Sequence, residues 1–147
     1  KEMKLPHSLK VIGNAAFAEC KRLKAVTIPE GIETLELDAF ACCDSLANIT
    51  LPSTLKSIRR GVFWQCRSIS EIHIPASVTE IGEYSFYYCD SLRHVYNHAA
   101  TPQEVISLFK PKDSITVHVP AASVELYRQA SYWKDLNIVG DIVGLEP

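Results

Sequence analysis

Four of the five cysteines recur every 23 residues, at Cys20, Cys43, Cys66 and Cys89. Thiolates are good zinc ligands, and pairs of thiols form disulfides. In a register of stacked strands, neighbouring sulfurs lie about 4.8 Å apart and four of them spread over roughly 15 Å, so they do not converge on one metal ion. Parallel side chains also hold neighbouring Cβ atoms too far apart for a disulfide. We therefore expect the four to be reduced, metal-free and buried as small hydrophobic side chains, with Cys42 outside the column.

The histidines form the second group of residues that can do chemistry. His94 follows Glu71 by 23 residues, and Tyr96 follows His73 by the same interval. If each repeat contributes one strand, these side chains point away from the core, with Glu71 beside His94 and His73 beside Tyr96. A Glu–His pair can serve general acid-base catalysis or supply half of a metal site. The column offers neither a nucleophile nor a third ligand, which leaves a solvated polar face or a binding surface.

The element that positions both groups is a repeat. Proline and phenylalanine follow the same 23-residue period as cysteine, and no insertion interrupts residues 5–96; the columns are Pro6, Pro29, Pro52 and Pro75, and Phe17, Phe40, Phe63 and Phe86. Each unit contains Leu-x-x-Val-x-Ile-Pro, which is typical of a short half-buried strand ended by proline. The phenylalanine and cysteine columns then lie on a returning turn, and we expect all four phenylalanines to be buried in one file.

One unit of this kind cannot bury its own apolar face, so successive units must stack. The sequence therefore predicts a repeat solenoid with one short parallel strand per 23-residue repeat. We assign four units to residues 1–97 and a C-terminal capping segment of mixed α and β structure to residues 98–147. Within that segment the pattern predicts a short helix from Pro102 to Phe109, a strand over residues 115–119, a helix over residues 121–131 and a last short strand over residues 138–140.

Composition excludes several classes of function. The 147 residues carry a net charge of -2, which favours neither nucleic acid nor an anionic membrane as a partner. No run of 18 apolar residues is present, so we expect no membrane insertion. The sequence contains no glycine-rich phosphate loop, Gly-x-Ser-x-Gly or His-Glu-x-x-His motif, and we expect no enzyme activity and no cofactor. The chain begins at Lys1, and we expect it to be a piece of a longer protein.

The repeat resembles the BspA-type leucine-rich repeats of bacterial cell-surface proteins. The resemblance covers about 90 residues and rests on phrases such as Ile-Pro-Glu-Gly-Ile-Glu-Thr-Leu and Tyr-Ser-Phe-Tyr-Tyr-Cys-Asp-Ser-Leu. It implies a right-handed leucine-rich-repeat coil in a secreted or surface-attached protein, with adhesion to host or matrix proteins the usual suggestion, and it brings no catalytic residues. The cysteine column precedes the leucine by three residues and does not correspond to the asparagine ladder of other leucine-rich repeats.

These observations predict a non-catalytic binding module that engages a protein or glycan partner through the sheet face, in an extracellular or cell-surface location. The predicted binding residues are Glu71, His73, His94 and Tyr96; the turn aromatics Trp64, Tyr87 and Tyr88 are a second candidate contact surface. The alternative is a structural spacer in a larger surface protein. The outward positions change from small and neutral to charged and aromatic along the chain, which a spacer does not require.

Overall fold

The computed structural model of the protein describes residues 2–143. Each repeat contains only a short extended segment before the chain turns, so the strands are short. In chain order they are β1 (Glu2–Lys4), β2 (Ala25–Thr27), β3 (Thr34–Leu35), β4 (Asn48–Thr50), β5 (Ser57–Ile58), β6 (Glu71–Ile74), β7 (Glu80–Ile81), β8 (Phe86–Tyr87), β9 (His94–Asn97), β10 (Phe109–Lys110), β11 (Thr116–Pro120), a 3-10 helix (Ala121–Ser123), α1 (Val124–Gln129), a second 3-10 helix (Trp133–Asp135) and β12 (Asn137–Ile142).

The strands that the repeat pattern predicts lie side by side and parallel. β1, β2 and β4 form one sheet, and β6, β9, β11 and β12 form another. The register follows the 23-residue period, with Val26 opposite Ile49 and Ile72 opposite Val95. Pro75 directly follows β6, where its missing N–H ends the ladder. The predicted solenoid with one main parallel strand per repeat is confirmed.

A second ladder of two-residue strands runs along the same coil. β3, β5 and β7 form a parallel sheet in which Leu35, Ile58 and Ile81 are in register, and Ile12 joins Leu35 through a single bridge. All four residues are buried, and they enter the same hydrophobic core as the main strands. The sequence pattern identified this apolar column, but it did not predict that the column pairs as strands.

The phenylalanines stack in one file along the returning turns. Phe17, Phe40, Phe63 and Phe86 lie at centroid separations of 5.2, 5.9 and 5.5 Å, with nearly parallel rings. The three later rings are buried, as predicted. The prediction was wrong for Phe17, which is half-buried, because it stands in the first turn described and has a stacking ring on one side.

The file of phenylalanine rings continues beyond the four predicted repeats, and this corrects the helix predicted from Pro102 to Phe109. The helix expected from Pro102 to Phe109 is not formed; the segment is irregular, with bends at Ile106 and Ser107, and ends in β10, which pairs parallel with β8. Phe109 stacks on Phe86 at 5.8 Å and is the fifth ring of the file. Val105 and Leu108 are also buried, so the apolar spacing that suggested a helix serves an added turn of the coil.

The other elements of residues 98–143 agree with the predictions. β11 covers all but the first residue of the strand expected over residues 115–119, β12 includes the strand expected over residues 138–140, and the first 3-10 helix and α1 occupy most of the predicted helix over residues 121–131. β11 pairs with β9 and β12 pairs with β11, so the main strand column continues past residue 97. The division into a repeat domain and a cap at that point stays a prediction. Residues 144–147 of the proposed cap lie outside the described residues.

Two aromatic rings pack together in the core near the C-terminal strands. Trp133 and Tyr127 are fully buried and meet edge-to-face at 5.5 Å. The Trp133 Nε1–H donates to the Gln103 carbonyl at 2.7 Å, and the Tyr127 hydroxyl donates to the Ala99 carbonyl at 2.7 Å. Both rings therefore satisfy their polar atoms while buried in the core, as such rings usually do.

Candidate functional site

The structure places the four predicted binding residues on adjacent strands. Glu71 lies opposite His94 and His73 lies opposite Tyr96 where β6 pairs with β9. Glu71, His73 and His94 are exposed, whereas Tyr96 is half-buried. The juxtaposition that the 23-residue register predicts is therefore present. The alternate residues of the same strands point inward and are buried in the core, which anchors the strands that carry the exposed side chains.

The half-buried state of Tyr96 comes from stacking on both faces of its ring. Its centroid lies 4.3 Å from that of His73, with the planes 5° apart, and 4.3 Å from that of His118, with the planes 13° apart. His118 belongs to β11 and lies opposite Tyr96 in the strand register. The 23-residue period did not predict this position of His118, because β11 follows β9 at an interval shorter than 23 residues. The alternating Ile-Thr-Val-His-Val segment, which predicts a strand, was the only indication in the sequence that His118 could join the sheet.

A carboxylate orients the His118 ring. Its Nδ1 lies 2.9 and 2.8 Å from the two carboxylate oxygens of Asp141, and its Nε2 lies 3.0 Å from Nδ1 of His94. An ionised carboxylate only accepts hydrogen bonds, so His118 Nδ1 carries a hydrogen. When His118 is neutral, its Nε2 accepts from His94 Nδ1–H, which leaves His94 Nε2 as an acceptor. Asp141, His118 and His94 thus form one hydrogen-bonded chain that ends in an exposed imidazole.

A second chain runs along the neighbouring strand. Nδ1 of His73 lies 3.3 Å from Nε2 of His98, and Nε2 of His73 lies 3.5 Å from the Glu71 carboxylate. Burial, together with the charge of His73, lowers the pKa of His98. His98 therefore favours the neutral form and can accept a hydrogen bond from His73. His98 was also missed at the sequence level, because it follows the strand.

Together these residues form a surface that we call the sheet-face patch: Glu71, His73, His94, Tyr96, His98, His118 and Asp141. It offers two carboxylates, imidazole donors and acceptors, and an aromatic ring held rigidly by stacking. Among residues 2–143, no group of three or more His, Cys, Asp or Glu side chains is arranged to hold a metal ion. These side chains offer hydrogen-bonding groups and aromatic ring faces.

The cysteine column lies inside the coil. The thiols of Cys43, Cys66 and Cys89 each donate to a backbone carbonyl of the preceding turn, those of Phe17, Phe40 and Phe63, at 3.1 Å. These three cysteines are buried, as expected. Burial was wrongly predicted for Cys20, which is half-buried in the first described turn. The structure describes all five cysteines, and each is a free thiol.

We expect thiol titration without reductant to separate these cysteines into two classes. Cys20 and Cys42 are half-buried and should react in the native protein, whereas Cys43, Cys66 and Cys89 should react only after denaturation. Burial raises the pKa of Cys89 to about 12, so its reactive thiolate is absent at neutral pH. All of the thiols should be found in the denatured protein. A disulfide within the column, or stoichiometric zinc in the purified protein, would contradict the expectation.

The repeat in this chain matches a known family of repeat sequences, and solved structures resemble its fold. Residues 1–107 match the sequence model of the BspA type leucine rich repeat region, in six copies. The crystal structure of the pneumococcal vaccine antigen PcpA is similar, with a TM-score of 0.73 and 20% sequence identity over 97% of this chain and 42% of that one. No curated protein matches the chain.

Two further solved structures are similar. A leucine-rich repeat protein from Bacteroides ovatus has a TM-score of 0.61 and 30% identity, over 80% of this chain and 33% of that chain. A leucine rich cell surface protein from Faecalibacterium prausnitzii has a TM-score of 0.61 and 23% identity, over 76% of this chain and 39% of that one. The chain thus spans less than half the length of each of the three proteins. In the described part of the chain, no helix has the length and apolar character needed to cross a membrane.

Proposed function

The chain belongs to the BspA-type leucine-rich-repeat family, and from that premise we propose that it is a non-catalytic binding module of a secreted or cell-surface protein. The partner is a protein or glycan, and it binds on the sheet-face patch. The observation that carries the proposal is the His73–Tyr96–His118 stack on adjacent strands, edged by the carboxylates of Glu71 and Asp141. The similar protein from Faecalibacterium prausnitzii is a cell surface protein, which supports the location.

The patch has the properties of a contact surface. The side chains of Glu71 and His73 are each 56% exposed, yet the stack holds the His73 ring in place. A side chain that is already ordered loses little conformational entropy when a partner binds, so it adds more to affinity than a mobile one. Tyrosine and charged groups combined in one place offer apolar area and hydrogen bonding together.

The patch is confined to one end of the strand column. The equivalent outward positions on β2 and β4 hold the small side chains Ala25, Thr27, Asn48 and Thr50. These residues offer neither a ring nor a charge. A module that served only as a spacer would need no such change between β4 and β6.

The test begins with a glycan array and a panel of purified extracellular-matrix proteins, probed with the intact chain. With the ligand found, the double variant His73→Ala, Tyr96→Ala should weaken binding by at least about 30-fold per anchor, which corresponds to the roughly 2 kcal/mol typical of hot-spot residues. The matched control is Thr27→Ala, Thr50→Ala, on the same outward column in the earlier repeats, which should leave affinity within about twofold.

Circular dichroism and thermal melting establish that both double variants are folded. If the His73→Ala, Tyr96→Ala protein is folded and its affinity changes by less than about threefold, the sheet-face patch is not the binding site. If no glycan or matrix protein binds at all, the spacer role replaces the binding role.

A further inference from the structure

A cleft on the turn side of the coil lies apart from the main strand column and has an unusual lining. Its volume is about 440 Å³. Four aromatic side chains line it, Trp64, Tyr84, Tyr87 and Tyr88, together with Asp38, Arg60 and Gly61. None of these residues belongs to the sheet-face patch, so the cleft is a separate surface of the molecule.

The four rings are locked against one another edge-to-face. Tyr84 and Tyr87 meet at 4.9 Å, Tyr87 and Tyr88 at 5.2 Å, and Trp64 and Tyr88 at 6.4 Å, with interplanar angles between 66° and 71°. Perpendicular packing of this kind is favourable in itself, and it gives the cleft fixed aromatic walls. Tyr84 and Tyr88 nevertheless remain 38% and 37% exposed, so the packing leaves much of their apolar surface uncovered.

The backbone conformation at Tyr84 and Tyr88 does not favour tyrosine. Tyr84 and Tyr88 have φ angles of 63° and 61°, in the left-handed region, where a bulky residue is an outlier. The conformation is imposed by the turn, because the residues one and two repeats before Tyr84, Gly61 and Asp38, share it with φ angles of 70° and 56°. Glycine is the residue that suits such a position. The residues equivalent to Tyr88 in the two earlier repeats, Gln65 and Cys42, share the left-handed conformation too, with φ angles of 58° and 60°, so the conformation belongs to the turn and the tyrosine side chains are the feature particular to this repeat.

Charged groups of both signs surround the rings. A Cβ atom at Gly61 would collide with Oδ1 of Asp38, so the glycine leaves room for this carboxylate at the cleft. The Arg60 guanidinium lies 3.8 Å from the Glu83 carboxylate and is 60% exposed. The Lys110 ammonium lies 5.8 Å from the ring centroids of both Tyr87 and Tyr88. The cleft therefore combines hydrogen-bond acceptors and donors with aromatic faces.

This combination selects among ligand classes. An organic cation would compete with Lys110 for the ring faces, and an anion would meet the Asp38 carboxylate. A purely apolar ligand would displace water from the charged groups at the rim without replacing the hydrogen bonds that the water made. A sugar ring matches both features, because its C–H face packs on an aromatic ring while its hydroxyls bond to carboxylate and guanidinium groups. A volume of about 440 Å³ lies toward the small end of ligand pockets, which run from about 300 to 1,000 Å³.

We infer that this turn-side cleft is a carbohydrate-binding site for a neutral glycan end of one or two pyranose units. Tyr84 and Tyr88 supply the stacking faces, and Asp38 and Arg60 bond to the hydroxyls. The site is separate from the sheet-face patch and does not depend on its role.

The test uses the intact chain and tryptophan fluorescence. The protein has two tryptophans; Trp133 is fully buried, whereas Trp64 lines the cleft and reports on its occupancy. Cellobiose, lactose, mannobiose and N,N′-diacetylchitobiose are titrated to about 10 mM, since a shallow site for a small ligand fills only in the millimolar range. At least one disaccharide should change the emission, and the change should disappear in Trp64→Phe.

Tyr88→Leu should weaken sugar binding by at least about tenfold, whereas Tyr88→Phe, which keeps the ring, should stay within about threefold. Asp38→Asn is the second variant, since it keeps the side-chain shape and removes the charge; it should weaken binding by at least about threefold. Val11→Ala, at an exposed apolar position elsewhere, is the control. Melting temperatures establish that each variant is folded.

Three results would overturn the inference. The first is the absence of any emission change with all four disaccharides. The second is binding that persists unchanged in folded Tyr88→Leu and Asp38→Asn. The third is a stronger Tyr88-dependent response to tetramethylammonium or inorganic phosphate than to any sugar. Each is read at Trp64, so none depends on whether the sheet-face patch binds a partner.

Discussion

Phe63→Ala is expected to lower the free energy of unfolding by about 3–5 kcal/mol, the usual range for deleting a buried phenylalanine. Phe63 is completely buried and stacks on Phe40 at 5.9 Å and on Phe86 at 5.5 Å. Its removal opens a cavity between two rings that are fixed by their own turns, so neither neighbour can close it. Urea denaturation followed by circular dichroism measures the loss.

Phe17→Ala is the matched control for this prediction. Phe17 belongs to the same file, but it is half-buried and stacks on one ring only, Phe40. The same truncation there should therefore destabilise the protein clearly less than at Phe63. A loss below about 1 kcal/mol for Phe63→Ala would place the ring outside the core and contradict the stacked repeat.

Trp133→Ala is expected to destabilise the protein by a similar amount, about 3–5 kcal/mol. The indole is fully buried between Tyr127 and Phe109, at centroid distances of 5.5 and 6.3 Å. The substitution also removes the hydrogen bond from Nε1 to the Gln103 carbonyl and leaves that acceptor unpaired. Because Trp133 packs against both of these rings in the core, its loss should leave a large cavity there, which thermal melting and urea denaturation will detect.

Trp64→Ala provides the comparison, since it truncates the same side chain on the turn side of the coil. Trp64 is only half-buried at the cleft, so its truncation leaves a smaller cavity and should destabilise the protein much less. Equal losses in the two variants would contradict the expectation that the buried Trp133 contributes more to stability than Trp64.

The 23-residue period predicted the main strands and the phenylalanine file, whereas the segment before Phe109, which lacks that period, was predicted wrongly. The period placed Phe63 in the file and set Glu71 beside His94. The segment before Phe109 lacks the repeat's proline and cysteine, so its apolar residues suggested a helix. In the structure these residues form another turn, because Phe109 gains more contact by stacking on Phe86 than a short isolated helix would provide.

Asn97 shows how a single polar residue marks the change of pattern. It occupies the strand position that is apolar in earlier repeats, and it is buried. Its side-chain amide donates to Gln103 Oε1 at 2.8 Å, and the Gln103 amide donates to the Val78 carbonyl at 2.9 Å. The sequence pattern predicted a change in the repeat near this residue, but the partner that satisfies the buried amide was visible only in the structure.

By itself the sequence determined the coil, its strand register and the juxtaposition of the four predicted patch residues, because parallel stacking places equivalent residues of successive repeats beside one another. The tertiary structure alone decided the rest of the patch and the turn-side cleft. His118 reaches Tyr96 through a shorter strand interval, and Asp141 reaches His118 across the next pair of strands. Contacts of this kind join positions that are not equivalent in the repeat, and they depend on side-chain direction, which periodicity does not specify.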